Sequence, residues 1–206
     1  IISTTDNNDW KNQRGEMNMA FLPKTTLNEI FPISLKRSSK CNELLKKMSN
    51  DYTEYVNMSE FFLNETQAQL QLAMFGFSDD FEEKTNKKIR DVFAGINTDY
   101  LKEFSKDALN ETMKSKGPAS KLFHESVKNN NLEKDMGNII LFAFAGHDTT
   151  GHTLTWLLYE LCQNPQYKEK LIKEIDNYWL KYDIPTYESF YELPFMTRCI
   201  TETLRM

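Results

Sequence analysis

The sequence predicts a mainly α-helical protein. Three observations carry this expectation. Glycine and proline are sparse, at 7 and 6 of 206 residues, which permits long uninterrupted helices. Apolar residues recur at helical spacing, whereas strand-like runs are short. One stretch, Leu132 to Asn164, is apolar around much of its circumference and belongs at the centre of the fold. At 1.5 Å per residue it would form a rod of roughly 45–50 Å.

The elements follow in order. A first helix is expected from about Asp9, a candidate N-cap, to Phe21. Pro23 and Pro32 bracket an expected loop, and a second helix covers about Ser38 to Tyr55. Ser59 can cap a third, Glu60 to Phe75, which Gly76 ends. Its apolar positions Phe62, Leu63, Leu70, Ala73 and Met74 fall on one side. The segment Asp80 to Ser115 is charged and amphipathic, with Ile89, Val92, Phe93, Ile96, Tyr100 and Leu101 as its apolar stripe. Gly117-Pro118 breaks it. After the long helix, Pro165 opens another, to about Tyr182, because proline suits a first helical turn. Ile184-Pro185 is a loop, and a last helix runs from about Pro194 to Met206. No internal repeat or linker divides the chain, so residues 1–206 read as a single partial domain.

Composition narrows the function. The formal net charge of −5 and the lack of a basic stripe argue against a nucleic-acid binder. Cys41, Cys162 and Cys199 are far apart and form no Cys-x-x-Cys pair, which argues against a disulfide framework or zinc site and fits a reducing compartment. Cys162 and Cys199 read as small buried helix residues. Asn57, Asn64 and Asn110 begin sequons that read as chance matches in an Asn-rich chain. The longest apolar run, Ile139 to Ala145, is far short of the roughly 20 residues a bilayer needs. The chain begins without Met and ends inside a helical stretch, so it reads as part of a longer protein.

The informative feature is Ala145-Gly146-His147-Asp148-Thr149-Thr150-Gly151, where glycines, an acid and hydroxyls interrupt the long apolar helix. Glycine costs about 1 kcal/mol relative to alanine in a helix interior, and a buried acid costs more unless paired. Gly146, beside small Ala145, lets a flat ligand approach the backbone. Thr149 can hydrogen-bond the Ala145 carbonyl and open the helix locally. Asp148 can take up and release protons. Read by itself, the same pattern also suits a helix kink with a satisfied buried Asp. A metal site is the weaker rival: Asp148 and His152 share a helix face, but His147 and His152 are five apart and do not.

This segment resembles the distal-helix motif of cytochromes P450, Ala/Gly-Gly-x-Asp/Glu-Thr-Thr/Ser. Flanking residues extend the resemblance, from Leu132 to Leu141 before it and through Leu158, Leu161, Asn164, Pro165, Glu174-Ile175-Asp176 and Tyr187 to Pro194 after it. Glu202-Thr203-Leu204-Arg205 resembles the family's Glu-x-x-Arg, whose side chains share a helix face and pair. Trp10-Lys11-Asn12-Gln13-Arg14 resembles a Trp-x-x-x-Arg whose two side chains hold a haem propionate.

The resemblance implies a partial P450-like helical fold that lacks the haem-cysteine loop and most of the β-sheet. It implies a haem with a thiolate iron ligand and insertion of one oxygen atom into an apolar small molecule, with lipids as a default class. Electrons would come from NAD(P)H through a redox-partner reductase. Asp148 would relay protons and Thr149 would hydrogen-bond the bound oxygen, with Ala145 and Gly146 flanking the oxygen pocket. Trp10 and Arg14 would hold the cofactor's propionate. Glu202 and Arg205 would be a structural ion pair, braced by an Arg beyond this chain. None of the three cysteines lies in the family's Phe-x-x-Gly-x-x-x-Cys-x-Gly loop, so this segment alone should be inactive. The location implied is reducing and cytosol-facing, with any membrane association left to sequence preceding this chain. The alternative is a truncated, catalytically inactive helical relative that acts only in binding.

Overall fold

The computed structural model describes residues 7–21, 23–128 and 132–206, apart from the side chains of residues 9 and 125–128. The expected Asp9 cap therefore lies outside the described side chains. Among the described residues the chain is helical, without strands, as the sequence predicts.

Helix α1 (Asn7–Phe21) buries Gln13, Met17 and Ala20, three and four residues apart, and packs chiefly on α6. Helix α2 (Lys24–Met48) corrects the loop expected between Pro23 and Pro32: Pro23 precedes its first turn and Pro32 sits inside it. An interior proline gives up one helical hydrogen bond. Here packing outweighs that loss, with Thr26 buried and the Phe31 ring 5.1 Å from Phe190 and 6.3 Å from Tyr187. The helix also stops before Tyr55. Asn50, Asp51 and Tyr52 adopt φ of 46°, 55° and 67°, a left-handed run that no helix continues.

Helix α3 (Met58–Gln69) is capped by Asn57, not Ser59: Asn57 Oδ1 accepts from the N–H groups of Ser59 and Glu60 at 3.1 and 3.2 Å. The helix then widens into a π turn, Leu70–Phe75, that ends at Gly76 with φ 68°. A Cβ on Gly76 would lie 2.7 Å from the Gly117 backbone nitrogen, so two chain crossings share one glycine-only contact. Ser120 Oγ donates to the Phe75 carbonyl beside it, at 2.6 Å.

The segment Asp80 to Ser115 forms two helices, α4 (Asp79–Phe93) and α5 (Tyr100–Thr112). Positive φ at Gly95 (83°) and Asn97 (52°) turns the chain between them. Ile89 and Val92 enter the core as the stripe predicts, but Ile96 lies in the turn and is exposed. Pro118 does not only break the segment; it starts α6 (Pro118–Lys128).

The long helix α7 (Leu132–Gln163) is central, packing on α3, α5, α6, α8 and α9. The core gathers Phe75, Phe77, Phe104, Phe123, Ile89, Val92, Ile139 and Ala143 around it. Helix α8 (Pro165–Lys181) has Pro165 in its first turn. A short 3-10 turn (Glu188–Glu192) leads to α9 (Pro194–Arg205).

Candidate functional site

The rotation of α7 decides what the motif exposes. Its buried residues are Asp135, Ile139, Ala143, His147 and Gly151, each four apart along one side, with Asn138 three after Asp135. Thr149, His152 and Trp156 are exposed, while Ala145 and Asp148 are half-buried. Thr149 Oγ1 donates to the Ala145 carbonyl at 2.9 Å, the back-bond expected from the sequence. Thr153 repeats this one turn later, with Oγ1 on the Thr149 carbonyl at 2.8 Å.

Asp148 corrects an expectation. Its side chain is 43% exposed, so the acid is hydrated and not buried. His152 Nδ1 lies 2.8 Å from the Asp148 carbonyl and 3.4 Å from its carboxylate. No cluster of three metal-ligating side chains occurs among the described residues.

The buried polar residue of the motif is His147. Its ring stacks on Phe93 of α4 at 5.2 Å and 25°, and Phe144 meets it edge-on at 6.2 Å. Its Nδ1 lies 2.8 Å from the Ala143 carbonyl. Burial pushes its pKa below the usual histidine value, which keeps the ring neutral at neutral pH. Sequence reasoning gave His147 no structural part. Its step of four from Ile139 and Ala143 is the only sequence signal, and the all-apolar run 139–145 does not single those two out.

Helix α3 backs the motif. A Cβ on Gly146 would lie 2.9 Å from Leu70 Cδ1, and one on Gly151 would lie 2.8 Å from Leu63 Cδ2. Between them, Thr66 Oγ1 lies 2.9 Å from the His147 carbonyl, a buried contact, and also 2.9 Å from its own helix's Phe62 carbonyl. The bare side of Gly146 thus faces α3.

Trp10 and Arg14 stand four residues apart on α1, both exposed. Among the described residues Arg14 forms no ion pair, and its exposed guanidinium suits a carboxylate. α1 packs mainly on α6 and α2, so these two side chains occupy a different element from the α7 motif. Glu202 and Arg205 do pair: Arg205 Nε and Nη2 donate to the two Glu202 oxygens at 2.8 and 2.6 Å. The bond from Arg205 holds the Glu202 pKa below the usual carboxylate value. The start of α9 is fixed by a residue that sequence reasoning missed as a cap. Glu174 of α8 accepts from the Phe195 and Met196 N–H groups, both at 2.8 Å, where a helix N-terminus favours an anion.

The donor chemistry fits two parts of a haem site and not its iron ligand. Trp10 and Arg14 offer N–H groups suited to a propionate. The Ala145–Thr149 turn offers small side chains, a hydroxyl and a hydrated acid on an open helix face. The cysteines do not suit the metal. Burial and a hydrogen bond to Glu65 push the Cys41 thiol up to about 12, away from the thiolate form. Cys199 is half-buried in α9 with a raised pKa, caused first by burial. Cys162 is exposed on the last turn of α7, contrary to the expected burial.

Comparison with known proteins converges on one family. A family model described as Cytochrome P450 matches residues 42–206. Thromboxane-A synthase of Mus musculus is 38% identical over 76 residues, 36% of this chain and 14% of that protein. Cytochrome P450 3A7 of Homo sapiens is 30% identical over 117 residues, 53% of this chain and 23% of that protein. Cytochrome P450 4F3 of Homo sapiens is 41% identical over 68 residues, 32% of this chain and 13% of that protein. The chain therefore spans less than a quarter of the length of these relatives.

Proposed function

The chain belongs to the cytochrome P450 family, and from that premise we propose that it forms the oxygen-side part of a haem-thiolate monooxygenase acting on an apolar organic substrate. A haem with a thiolate iron ligand, when bound, would supply the O2 activation and O–O cleavage. Trp10 and Arg14 hold a propionate and fix how the ring lies. Ala145, small and half-buried, would keep the facing turn of α7 low and leave room for O2 beside it; Gly146, whose bare side meets Leu70, does not share that part. The Thr149 hydroxyl, now on the Ala145 carbonyl at 2.9 Å, turns to donate to a guest on the open face. Asp148, half-exposed and next to Thr149 in sequence, relays protons from water towards it. Glu202 and Arg205 brace the end of α9 and act in folding and haem retention, not in turnover.

The observation that carries this reading is the Thr149–Ala145 bond on an uncovered face of α7, next to a half-exposed Asp148. Electrons come from NAD(P)H through a reductase, and the substrate is an apolar small molecule, with lipids the default class. The site works in a reducing, cytosol-facing setting. None of the described helices is long and apolar enough to cross a membrane. The test is the reduced, carbon-monoxide-bound absorption spectrum of the full-length gene product. A red-shifted thiolate band supports the proposal; its lack refutes it.

The alternative is a truncated, catalytically inactive helical relative that acts only in binding. Transcript sequence downstream of Met206 separates the two: a cysteine loop decides for the enzyme, and a stop codon decides for the binder.

A further inference from the structure

We infer that Gly146 and Gly151 are positioning residues that answer to α3: Leu70 and Leu63 seat against them, the Thr66 hydroxyl holds the carbonyl between them, and this seat sets the register of Asp148 and Thr149. The part concerning the reaction rests on the monooxygenase reading; the seat itself does not.

The geometry separates two explanations for a glycine at 146. A glycine kept for a ligand would turn its bare side to the open face, where Thr149 and half-buried Ala145 lie. The bare side instead meets Leu70, at 2.9 Å to Cδ1, 3.0 Å to Cδ2 and 3.4 Å to Cγ. Gly151 repeats the arrangement one turn and a half later, on Leu63. The pairing runs in reverse order along the two helices, Leu70 with Gly146 and Leu63 with Gly151, as antiparallel neighbours require. Thr66 falls between the two leucines, and its hydroxyl reaches the His147 carbonyl, which lies between the two glycines. α3 widens into its π turn at Leu70, its last anchor on the motif. A helix fixed at three points cannot slide or rotate, so the acid and hydroxyl on its other face keep one position.

The two glycines differ in a way that an experiment can use. At Gly146 the three nearest atoms all belong to the Leu70 side chain. At Gly151 the Leu63 backbone also stands close, with Cα at 3.1 Å and N at 3.2 Å. Trimming the facing leucine should therefore rescue an alanine at 146 but not one at 151. Leu70→Val removes about the volume that Gly146→Ala adds, which keeps the total packed volume.

The test uses the intact haem-loaded protein, with two readouts: amide hydrogen exchange over residues 143–152, and product formed per O2 consumed. Gly146→Ala should speed exchange about tenfold and lower coupling, although alanine is the better helix former. Gly146→Ala with Leu70→Val should restore both. Gly151→Ala should show the same defects, and adding Leu63→Val should leave them. Thr66→Val should speed exchange where Thr66→Ser does not. A Gly146→Ala protein that matches the wild type overturns the inference. So does a double variant that stays defective, or exchange indifferent to Thr66→Val. If Gly146→Ala does not fold, recovery of folding in the double variant still decides. Lack of the thiolate band in the wild type would sink the monooxygenase reading alone, because exchange reads the seat without it.

Discussion

Replacing Glu65 with glutamine removes the charge at the centre of the best-connected ion pair in the fold. Glu65 accepts from Arg37 Nε at 2.7 Å, Arg37 Nη2 at 2.8 Å, Cys41 Sγ at 2.9 Å and Asn64 Nδ2 at 2.9 Å. The Arg37 and Glu65 side chains are only 14% and 7% exposed, and they tie α2 to α3. Removing one partner of a buried pair costs about 3–5 kcal/mol, mostly because the other charge is stranded. Here Glu82 on α4 remains 3.9 Å from Arg37 Nη1 and keeps part of the compensation. The expected loss for Glu65→Gln is therefore at the low end, about 3 kcal/mol. Urea denaturation of the full-length protein measures it. The pH dependence gives a second check. Burial by itself would raise the Glu65 pKa, but the hydrogen bonds from Arg37 and Cys41 outweigh it and hold the carboxyl below its usual range. A carboxyl depressed in the fold stabilises fully above its unfolded value of about 4.3. That contribution is lost as pH falls through the lower, folded value. The gap between wild type and Glu65→Gln should be widest near neutrality and close in acid. A loss below about 0.5 kcal/mol, typical of a surface substitution, would refute the reasoning, as would a gap that widens in acid.

Four further outcomes are expected. Thr149→Ala in the full-length enzyme should cut product per O2 by about tenfold or more, the scale of a lost proton-transfer group; unchanged coupling would remove Thr149 from the mechanism. Glu202→Ala should yield little haem-loaded protein, read from the ratio of haem to protein absorbance, because Arg205 loses its bidentate partner. Cys41, with its thiol pushed up to about 12, should react with iodoacetamide at pH 8 on the order of 100-fold more slowly than exposed Cys162, as peptide mass spectrometry would show. His147→Phe should keep the ring packing on Phe93 and remove an acid sensitivity. The His147 pKa is lowered by burial, so its stabilisation is full above about 6.5 and is lost as pH falls through the lower folded value; denaturation curves from pH 7.5 to 5 should fall less steeply in the variant.

The sequence displayed what depends on neighbours along the chain. Gly76 ends a helix because only a left-handed residue closes that turn, and Pro165 starts one because a first turn needs no N–H there. It did not display what depends on partners in space. Pro32 reads as a breaker until Phe31 is seen against Tyr187 and Phe190. The Arg37–Glu65 pair and the Glu174 cap join residues that no local spacing connects. Ile96 fits the apolar stripe of its segment, yet positive φ at Gly95 and Asn97 lifts it out of the helices that the stripe describes.

The motif on α7 shows where that boundary lies. Successive residues on a helix point about 100° apart, so the residue types of Ala145 to Gly151 alone do not say which of them face inward. A glycine, an acid and a threonine in a row are compatible with one site in which all of them serve the same guest. The structure divides them: Gly146 and Gly151 turn to α3, His147 turns to Phe93, and Thr149 is left on the other side with Asp148 at its edge. Residues 139–145 are all apolar, so hydropathy leaves the rotation open. The structure buries Ile139 and Ala143, and their step of four continues to His147 and Gly151. A polar residue at 147 masks the continuation, because a hydropathy reading counts histidine as surface. Its ring is apolar enough to stack on Phe93 once it is neutral, and burial keeps it neutral. His147 is thus part of the core stripe, and it is this stripe that turns Thr149 outward with Asp148 beside it.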